Sequence, residues 1–402
     1  MTAVSTASRL ALVASHPVQY LAPWYRALAT AVDLQVFYAH RISAGDHQRS
    51  GFGVPFEWDV PLLDGYRYQW LPNVATRPGV DRFWGCSTPG IASVLAAGGF
   101  DALLVNGWHL RCYWQAIRAA RRAGVPVMVR GDSQLTTARG GLRRAAKRVA
   151  YPRLLSVFDA CLTVGRRNRE YYRHYGVPDD RLYASPHCVD NEFFARAAGH
   201  ARRASGGPRH AFGIPDSAVV FLFVGKLIEK KRPLDWMMAL DRLRRAGLDA
   251  WGLLVGDGPL GPILDAHQQR HGAVCTIAGF LNQQQIGAAY AAADALVLPS
   301  DAGETWGLVV NEAMACGIPA IVSDQAGSAP DLVVEGATGF TYPCGDVAAL
   351  AERMSRLAED SALRRAMGAE SAAHIRTFSP AAAAAGVVEA LNALKQRDAS
   401  AA

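Results

Sequence analysis

Pro299-Ser-Asp-Ala-Gly-Glu-Thr-Trp-Gly-Leu-Val-Val-Asn-Glu-Ala-Met-Ala-Cys-Gly317 decides how this chain is read. The apolar run Ala295–Leu298 just before it has the length and character of a buried strand. Just after it, Gly317 and Pro319 stop a helix, and the residues from Pro319 to Ser323 open another strand. Glu304 therefore falls in a strand-to-helix loop and Glu312 about a turn and a half into the helix. Open α/β sheets bind their ligands in such loops, at the carboxyl ends of the strands. A carboxylate there accepts hydrogen bonds from polyol hydroxyls, while the free N–H groups of a helix N-terminus suit an anion. One loop thus suits a sugar joined to a phosphate.

The same strand-and-helix alternation extends in both directions. Leu10–Ala14, Leu34–Tyr38, Ala102–Val105, Val125–Val129 and Ala160–Val164 read as strands, with helical segments such as Cys112–Ala123 between them. A second series has strands at Val219–Val224, Trp251–Val255, Val274–Ala278, Ala295–Leu298 and Ala320–Val322. Both series predict parallel sheets wrapped by helices. Between them the pattern fails around Ala195–Pro215, which reads as an exposed linker. The expected organisation is a Rossmann-like domain over residues 1–200, a second over 201–378, and an alanine-rich helix within 379–402.

Composition narrows the class. Half of the 402 residues are hydrophobic and 19% are charged, a globular balance with enough apolar side chains for two cores. No uncharged apolar run approaches the ~18–20 residues of a membrane span. The stretch after Arg9 is too short for a signal peptide and reads as a first strand. Seven cysteines without a CxxC pair point to a reduced, cytoplasmic setting, with neither zinc nor disulfides expected. Residues 1–200 hold 24 basic against 14 acidic side chains, and the remainder 18 against 21. Only five of the 42 basic residues are lysine, and three of these are Lys226, Lys230 and Lys231.

That lysine cluster follows a strand and Gly225, in the run from Phe221 to Pro233. Gly225 lets backbone approach a ligand, and either Lys226 and Lys231 neutralise a departing diphosphate or the run is a solvated basic loop. Gly256-Asp257-Gly258 is a second strand-to-helix turn, open to nucleotide contact or to plain turn chemistry, with Asp257 more at home as a cap. Gly279-Phe-Leu-Asn282 is a third, where backbone groups read a nucleobase edge and Phe280 packs on the base, or else Phe280 is ordinary core.

In this order the Gly225-Lys226…Lys231 loop, the Gly256–Pro259 turn, the Gly279-Phe280 turn and the block from Glu304 through Glu312 to Pro319 resemble the family 4 retaining glycosyltransferases. The resemblance is close over Val219–Tyr342 and looser over the first 200 residues. It implies the GT-B fold, α/β with two facing Rossmann-like domains and an interdomain cleft. It also implies a nucleoside-diphosphate sugar as donor, UDP- or GDP-linked, with no further cofactor. Lys226 stands where the family has arginine, and Lys231 matches its lysine, both holding the diphosphate. Glu304 matches the residue that contacts sugar hydroxyls and Glu312 the one that grips the ribose. Gly225, Gly256, Gly258, Phe280, Leu281, Trp306, Gly307 and Leu308 complete the expected donor contacts.

The first half departs from the family's pattern. A glycine-rich loop is replaced by His16-Pro-Val-Gln-Tyr20, which is expected to face the acceptor. Arg130-Gly-Asp-Ser133 stands where relatives place a histidine, so Asp132 is a candidate acceptor or sugar contact, or a helix cap. His109 is a further candidate, and His187 either lines the cleft or is structural. The basic helix Gly141–Ala150, with Arg143, Arg144, Lys147 and Arg148, is a solvated face or a dock on anionic lipid where lipid-linked acceptors reside. Nucleic acid is not expected, because no aromatic residues interleave the charge. The absence of any Asp-x-Asp, with two lysines supplying positive charge, predicts no essential metal. The resulting expectation is a cytoplasmic, metal-independent retaining transferase moving a hexosyl unit to a carbohydrate or lipid-linked acceptor hydroxyl. A sugar-nucleotide epimerase and a non-catalytic sugar-nucleotide-binding partner are the alternatives.

Overall fold

The computed structural model describes residues 8–48, 51, 53–136 and 141–401. Among these, seven parallel strands form one sheet: β1 (Arg9–Ala14), β2 (Asp33–Tyr38), β3 (Arg67–Trp70), β4 (Ala102–Val105), β5 (Val127–Gly131), β6 (Ala160–Thr163) and β7 (Leu182–Ala184). Six more form a second parallel sheet: β8 (Val219–Val224), β9 (Ala250–Val255), β10 (Cys275–Gly279), β11 (Ala295–Leu298), β12 (Ala320–Ser323) and β13 (Gly339–Tyr342). The spatial orders are β3-β2-β1-β4-β5-β6-β7 and β10-β9-β8-β11-β12-β13. Strand direction dictates burial. Along β1, Ala11 and Val13 enter the core on one face, while Leu10, Leu12 and Ala14 enter the core on the other. Along β8, Val220, Leu222 and Val224 oppose Phe221 and Phe223 in the same way. Helices cover both faces, so these strands carry no polar alternation.

In each sheet the chain reverses direction of travel next to its first strand, between β1 and β4 and between β8 and β11. Such switch points open a crevice at the carboxyl ends of the strands. The two crevices of this molecule are therefore bordered by the loops after β1 and β4, and after β8 and β11.

Two segments tie the halves together. Residues 195–203, read from sequence as linker, belong to a helix, Asn191–Arg203. Its Phe194 and Ala198 are buried in the second domain's core, against the helices Ile286–Ala292 and Val309–Ala315. The final helix, Pro380–Ala401, returns to the first domain. Its Ala383, Ala384, Val387, Leu391 and Leu394 pack with Trp24, Tyr25 and Leu28. Burying each large side chain is worth about 1.5–3 kcal/mol. Gly386 is needed there, since a Cβ would lie 1.7 Å from the Ala184 carbonyl oxygen.

Candidate active site

The floor of the second-domain crevice is stitched from backbone. Gly225 N–H donates to Val255 O at 3.0 Å, Gly256 N–H to Gly279 O at 2.8 Å, and Leu227 N–H to Asp257 O at 2.9 Å. These bonds hold the loops after β8, β9 and β10 edge to edge. Gly256 has φ +142°, and a Cβ on it would lie 1.9 Å from Gly225 O. Only glycine fits. Asp257 accepts from its neighbour's N–H, Gly258, at 2.5 Å, so it shapes this turn rather than capping the helix that begins at Gly261. Above this floor lies a cavity of about 490 Å³, lined by Gly225, Lys226, Lys231, Gly256, Phe280, Leu281 and Glu312.

All three lysines of the cluster line it. Lys231 ends the 3₁₀ turn Glu229–Lys231 and forms an ion pair with Glu304, which reaches in from the loop after β11. Glu304 is 9% exposed, and Ser300 Oγ lies 3.4 Å from the same carboxylate oxygen that Lys231 holds. Burial pushes the Glu304 carboxyl up, but Lys231, with Lys230 and Ser300, outweighs it and holds the carboxyl below its usual range. Lys230 docks the loop itself, donating to Gly303 O at 3.3 Å while its own carbonyl accepts from Asp301 N–H. Burial, then the charges of Lys230 and Lys231, lower the Lys226 pKa, and Glu304 partly offsets them. Lys226 therefore holds its charge at a cost that an anion arriving beside it would relieve.

Glu312 lies in the first turn of the helix Val309–Ala315, which starts later than the sequence pattern suggests. Its side chain reaches the cavity wall and accepts a hydrogen bond from Tyr290 Oη at 2.5 Å. Burial pushes its carboxyl up to about 7, against the opposing effects of Tyr290 and Lys231. Because this acid's folded pKa is raised above its usual value of 4.5, the ligand-free fold loses stability as pH climbs from about 4.5 past about 7. Glu312→Gln is expected to abolish that loss, which thermal melts at pH 5 and pH 8 would read. Ribose hydroxyls donating to the carboxylate would favour its charged form. Glu312→Ala is therefore expected to weaken nucleoside diphosphate binding by roughly 1.5–3 kcal/mol in calorimetry. An unchanged affinity would remove Glu312 from the site.

The first-domain crevice holds a cavity of about 550 Å³, lined by His16, Tyr20, His109, Arg130, Asp132, Lys147 and His187 among others. The loop after β1 forms the wall between the two cavities: Val18 and Tyr20 face this one and Gln19 faces the other. Burial, aided by His47 and His40, takes the His16 pKa down to about 4, so its imidazole is neutral at pH 7. Burial lowers His109 and His187 as well. Arg130 is structural in its contacts: it donates to Ser185 O at 3.2 Å and Pro186 O at 3.0 Å, and lies over the Trp24 ring. Asp132 is exposed and accepts from Thr305 Oγ1 at 2.8 Å, which brings it beside the Glu304 loop.

Four expected donor contacts, Gly258, Trp306, Gly307 and Leu308, do not line the cavity beside Lys231. Gly258 is packed against the Leu227 backbone. Because the helix starts only at Val309, the Trp306 ring turns to the domain seam, bonding Asn311 Oδ1 at 2.8 Å and packing 5.4 Å from His187. Gly307 is pressed against Leu298, and Leu308 packs on the core. Conversely, first-domain residues reach the second-domain cavity without a sequence signal. Phe56 packs on Phe280 at 4.4 Å between ring centroids, Trp58 lines the cavity, and Asn282 Nδ2 donates to Glu57 O at 2.7 Å. Gln134, 5% exposed, donates to both Ala302 O and Glu304 O at 3.1 Å, a clamp from the first domain on the Glu304 loop.

This arrangement has known counterparts. Residues 209–374 match the family model described as glycosyl transferases group 1, and residues 17–186 match the glycosyl transferase 4-like domain. Over 291 residues the chain is 30% identical to the D-inositol 3-phosphate glycosyltransferase of Corynebacterium glutamicum (strain R), covering 69% of this chain and 67% of that relative. The chain belongs to the GT4-like glycosyltransferases. It is also 30% identical over 223 residues to the alpha-D-kanosaminyltransferase of Streptomyces kanamyceticus, covering 55% of this chain and 56% of the relative. Among solved structures, HepE of Anabaena in complex with UDP superposes with a TM-score of 0.71 at 17% identity, over 96% of this chain and 99% of that one. Sucrose-phosphate synthase of Thermosynechococcus elongatus does so at 0.71 and 19%, over 98% and 100%. These likenesses show the GT-B fold.

No helix among the described residues of this glycosyltransferase is long and apolar enough to cross a membrane. The basic helix runs from Gly141 to Leu155. The side chains of Arg143 and Arg144 lie outside the described residues, and Lys147 turns inward, 4.4 Å from the Tyr151 ring centroid.

Proposed function

We propose that this glycosyltransferase is a cytoplasmic retaining enzyme that moves a hexosyl unit from a UDP- or GDP-linked sugar to an acceptor hydroxyl on a glycan, glycolipid or small-molecule glycoside. The observation that carries the reading is the Lys231–Glu304 pair, which joins the loops after β8 and β11, the latter bonded by Gln134 of the first domain. In this reading the base lies by Phe280 and Leu281, the ribose on Glu312, the diphosphate on Lys226 and Lys231, and the sugar against Glu304. The acceptor enters from the first-domain cavity past His16 and Asp132. HepE of Anabaena has been crystallised with UDP-glucose, which makes that donor the first to try.

The chemistry follows from where charge develops. As the bond from the anomeric carbon to the leaving oxygen breaks, negative charge collects on the diphosphate and is met by Lys226 and Lys231. The departing phosphate oxygen takes the acceptor proton, and the acceptor oxygen bonds the anomeric carbon from the same face. Configuration is retained without a covalent sugar on Glu304 or Asp132. Lysine charge fills the role a metal would have toward the diphosphate, so turnover persists in EDTA. Proton NMR of the first-formed glycoside is the test: an α-linked product from an α-linked donor is expected, with EDTA present or absent. A β-linked first product overturns the mechanism. Donor consumed without any transferred glycoside favours the epimerase, and donor bound but never consumed favours a non-catalytic partner.

A further inference from the structure

The segment between β3 and the helix Ile91–Gly98 exposes large apolar side chains on the outside of the first domain. Trp84 is 64% exposed, Val74 63% and Phe83 40%. Arginines surround them. Arg77, Arg82 and Arg111 line a surface hollow of about 500 Å³ together with Trp84, and the Arg111 guanidinium lies 5.1 Å from the Trp84 ring centroid. The helix Arg111–Arg122 continues the charge, with exposed Arg118 and Arg122 two and three turns further along the face that Arg111 starts. Asp81 is the one carboxylate in the segment Val74–Trp84, and Arg82 pairs with it at 3.1 Å.

Large exposed aromatics ringed by one sign of charge mark an interaction face. We infer that this face docks on an anionic phospholipid surface, Phe83 and Trp84 entering the headgroup layer while Arg77, Arg111, Arg118 and Arg122 meet lipid phosphates. Arginine and tryptophan both combine an apolar body with a polar end, which suits the boundary between headgroups and acyl chains. A nucleic acid would satisfy the charge but would leave Val74 and Phe83 in water. The docked segment has an inner side too: its Val80 lines the first-domain cavity, so docking brings that cavity alongside the bilayer. The docking itself does not depend on reading that cavity as an acceptor site. If the acceptor is lipid-linked, the enzyme meets it where it is embedded.

Co-sedimentation of the full chain with vesicles tests this. Binding is expected to phosphatidylcholine vesicles doped with phosphatidylglycerol, weakening as salt rises, with little binding to phosphatidylcholine alone. Each arginine at an anionic surface contributes roughly a fivefold gain. Arg77→Glu/Arg111→Glu, and separately Phe83→Ser/Trp84→Ser, are therefore expected to lower partitioning by about tenfold or more. UDP-induced thermal stabilisation, compared with wild type, reports that the variants remain folded, because the substituted side chains are exposed and far from the donor cavity. Arg148→Ser/Val149→Ser, on the other basic helix, is expected to bind like wild type. No binding to the anionic vesicles, or binding that survives both patch variants, overturns the proposal. So does loss confined to the Arg148/Val149 variant, or capture of RNA in place of vesicles.

Discussion

Lys231→Ala is expected to lower turnover by about 10²-fold or more, the effect of removing a group that meets charge developing in the transition state. Two consequences of one substitution must be separated. The Lys231 side chain is 13% exposed and pairs with Glu304, so its loss also leaves a buried carboxylate without its partner. Breaking such a pair costs about 3–5 kcal/mol of stability. The pH dependence tells the two apart. In the wild type the lowered Glu304 pKa contributes stability above its unfolded value, lost only as pH falls through the lower folded value. Without Lys231, burial dominates, the carboxyl moves upward, and the variant becomes less stable as pH rises. Adding Glu304→Gln to Lys231→Ala is expected to restore the melting temperature and leave turnover low. Near-wild-type turnover in Lys231→Ala, measured at saturating donor, would place the diphosphate elsewhere.

Gly256→Ala is expected to be the most damaging small change in the second domain. The added methyl would sit 1.9 Å from the Gly225 carbonyl oxygen, a rigid backbone atom, at a φ of +142° that side-chain-bearing residues avoid. Strain and overpacking together suggest a loss of roughly 3–5 kcal/mol. The same displacement pulls Gly225 from Val255 and Gly256 from Gly279, which deforms the floor of the second-domain cavity. Denaturant melts should show the loss, and any folded fraction should bind nucleoside diphosphate weakly. Gly272→Ala is a fair contrast, because its Cβ would meet open space and only the φ of +89° is strained. Equal stability losses in the two variants would show that the close approach to Gly225 costs nothing.

The strands that bear the site were legible because both their faces are buried. β4, β8 and β11 are short unbroken apolar runs, and β1 is one after Arg9. β3 was not legible: Arg67-Tyr-Gln-Trp70 pairs on one side only and is largely exposed, so it carries no apolar signature. β13, opened by a glycine, and the three-residue β7 also lie at sheet edges. The helix Asn191–Arg203 hid because alanines and Gly199 form much of it and the surface burying Phe194 belongs to the other sheet. At the site, Lys226, Lys231 and Glu304 stood out as charges in strand-to-helix loops, and Glu312 as a charge early in the helix that follows one. Gln134 and Trp58 did not, since what they do is set by how two domains face each other. Trp306 misled for a local reason: it lies before the helix start, where side-chain direction does not follow helical spacing.

The return of the helix Pro380–Ala401 has a consequence for biogenesis. Leu391 and Leu394 belong to the core around Trp24 and Leu28, separated from them by nearly the whole chain. On the ribosome the first domain emerges early, yet it waits for the last helix before that face of its sheet is covered. Until then Trp24 and Tyr25 stand open to solvent, a surface that invites aggregation or chaperone capture. The time that surface stays open is set by synthesis of all the chain between Leu28 and the helix Pro380–Ala401.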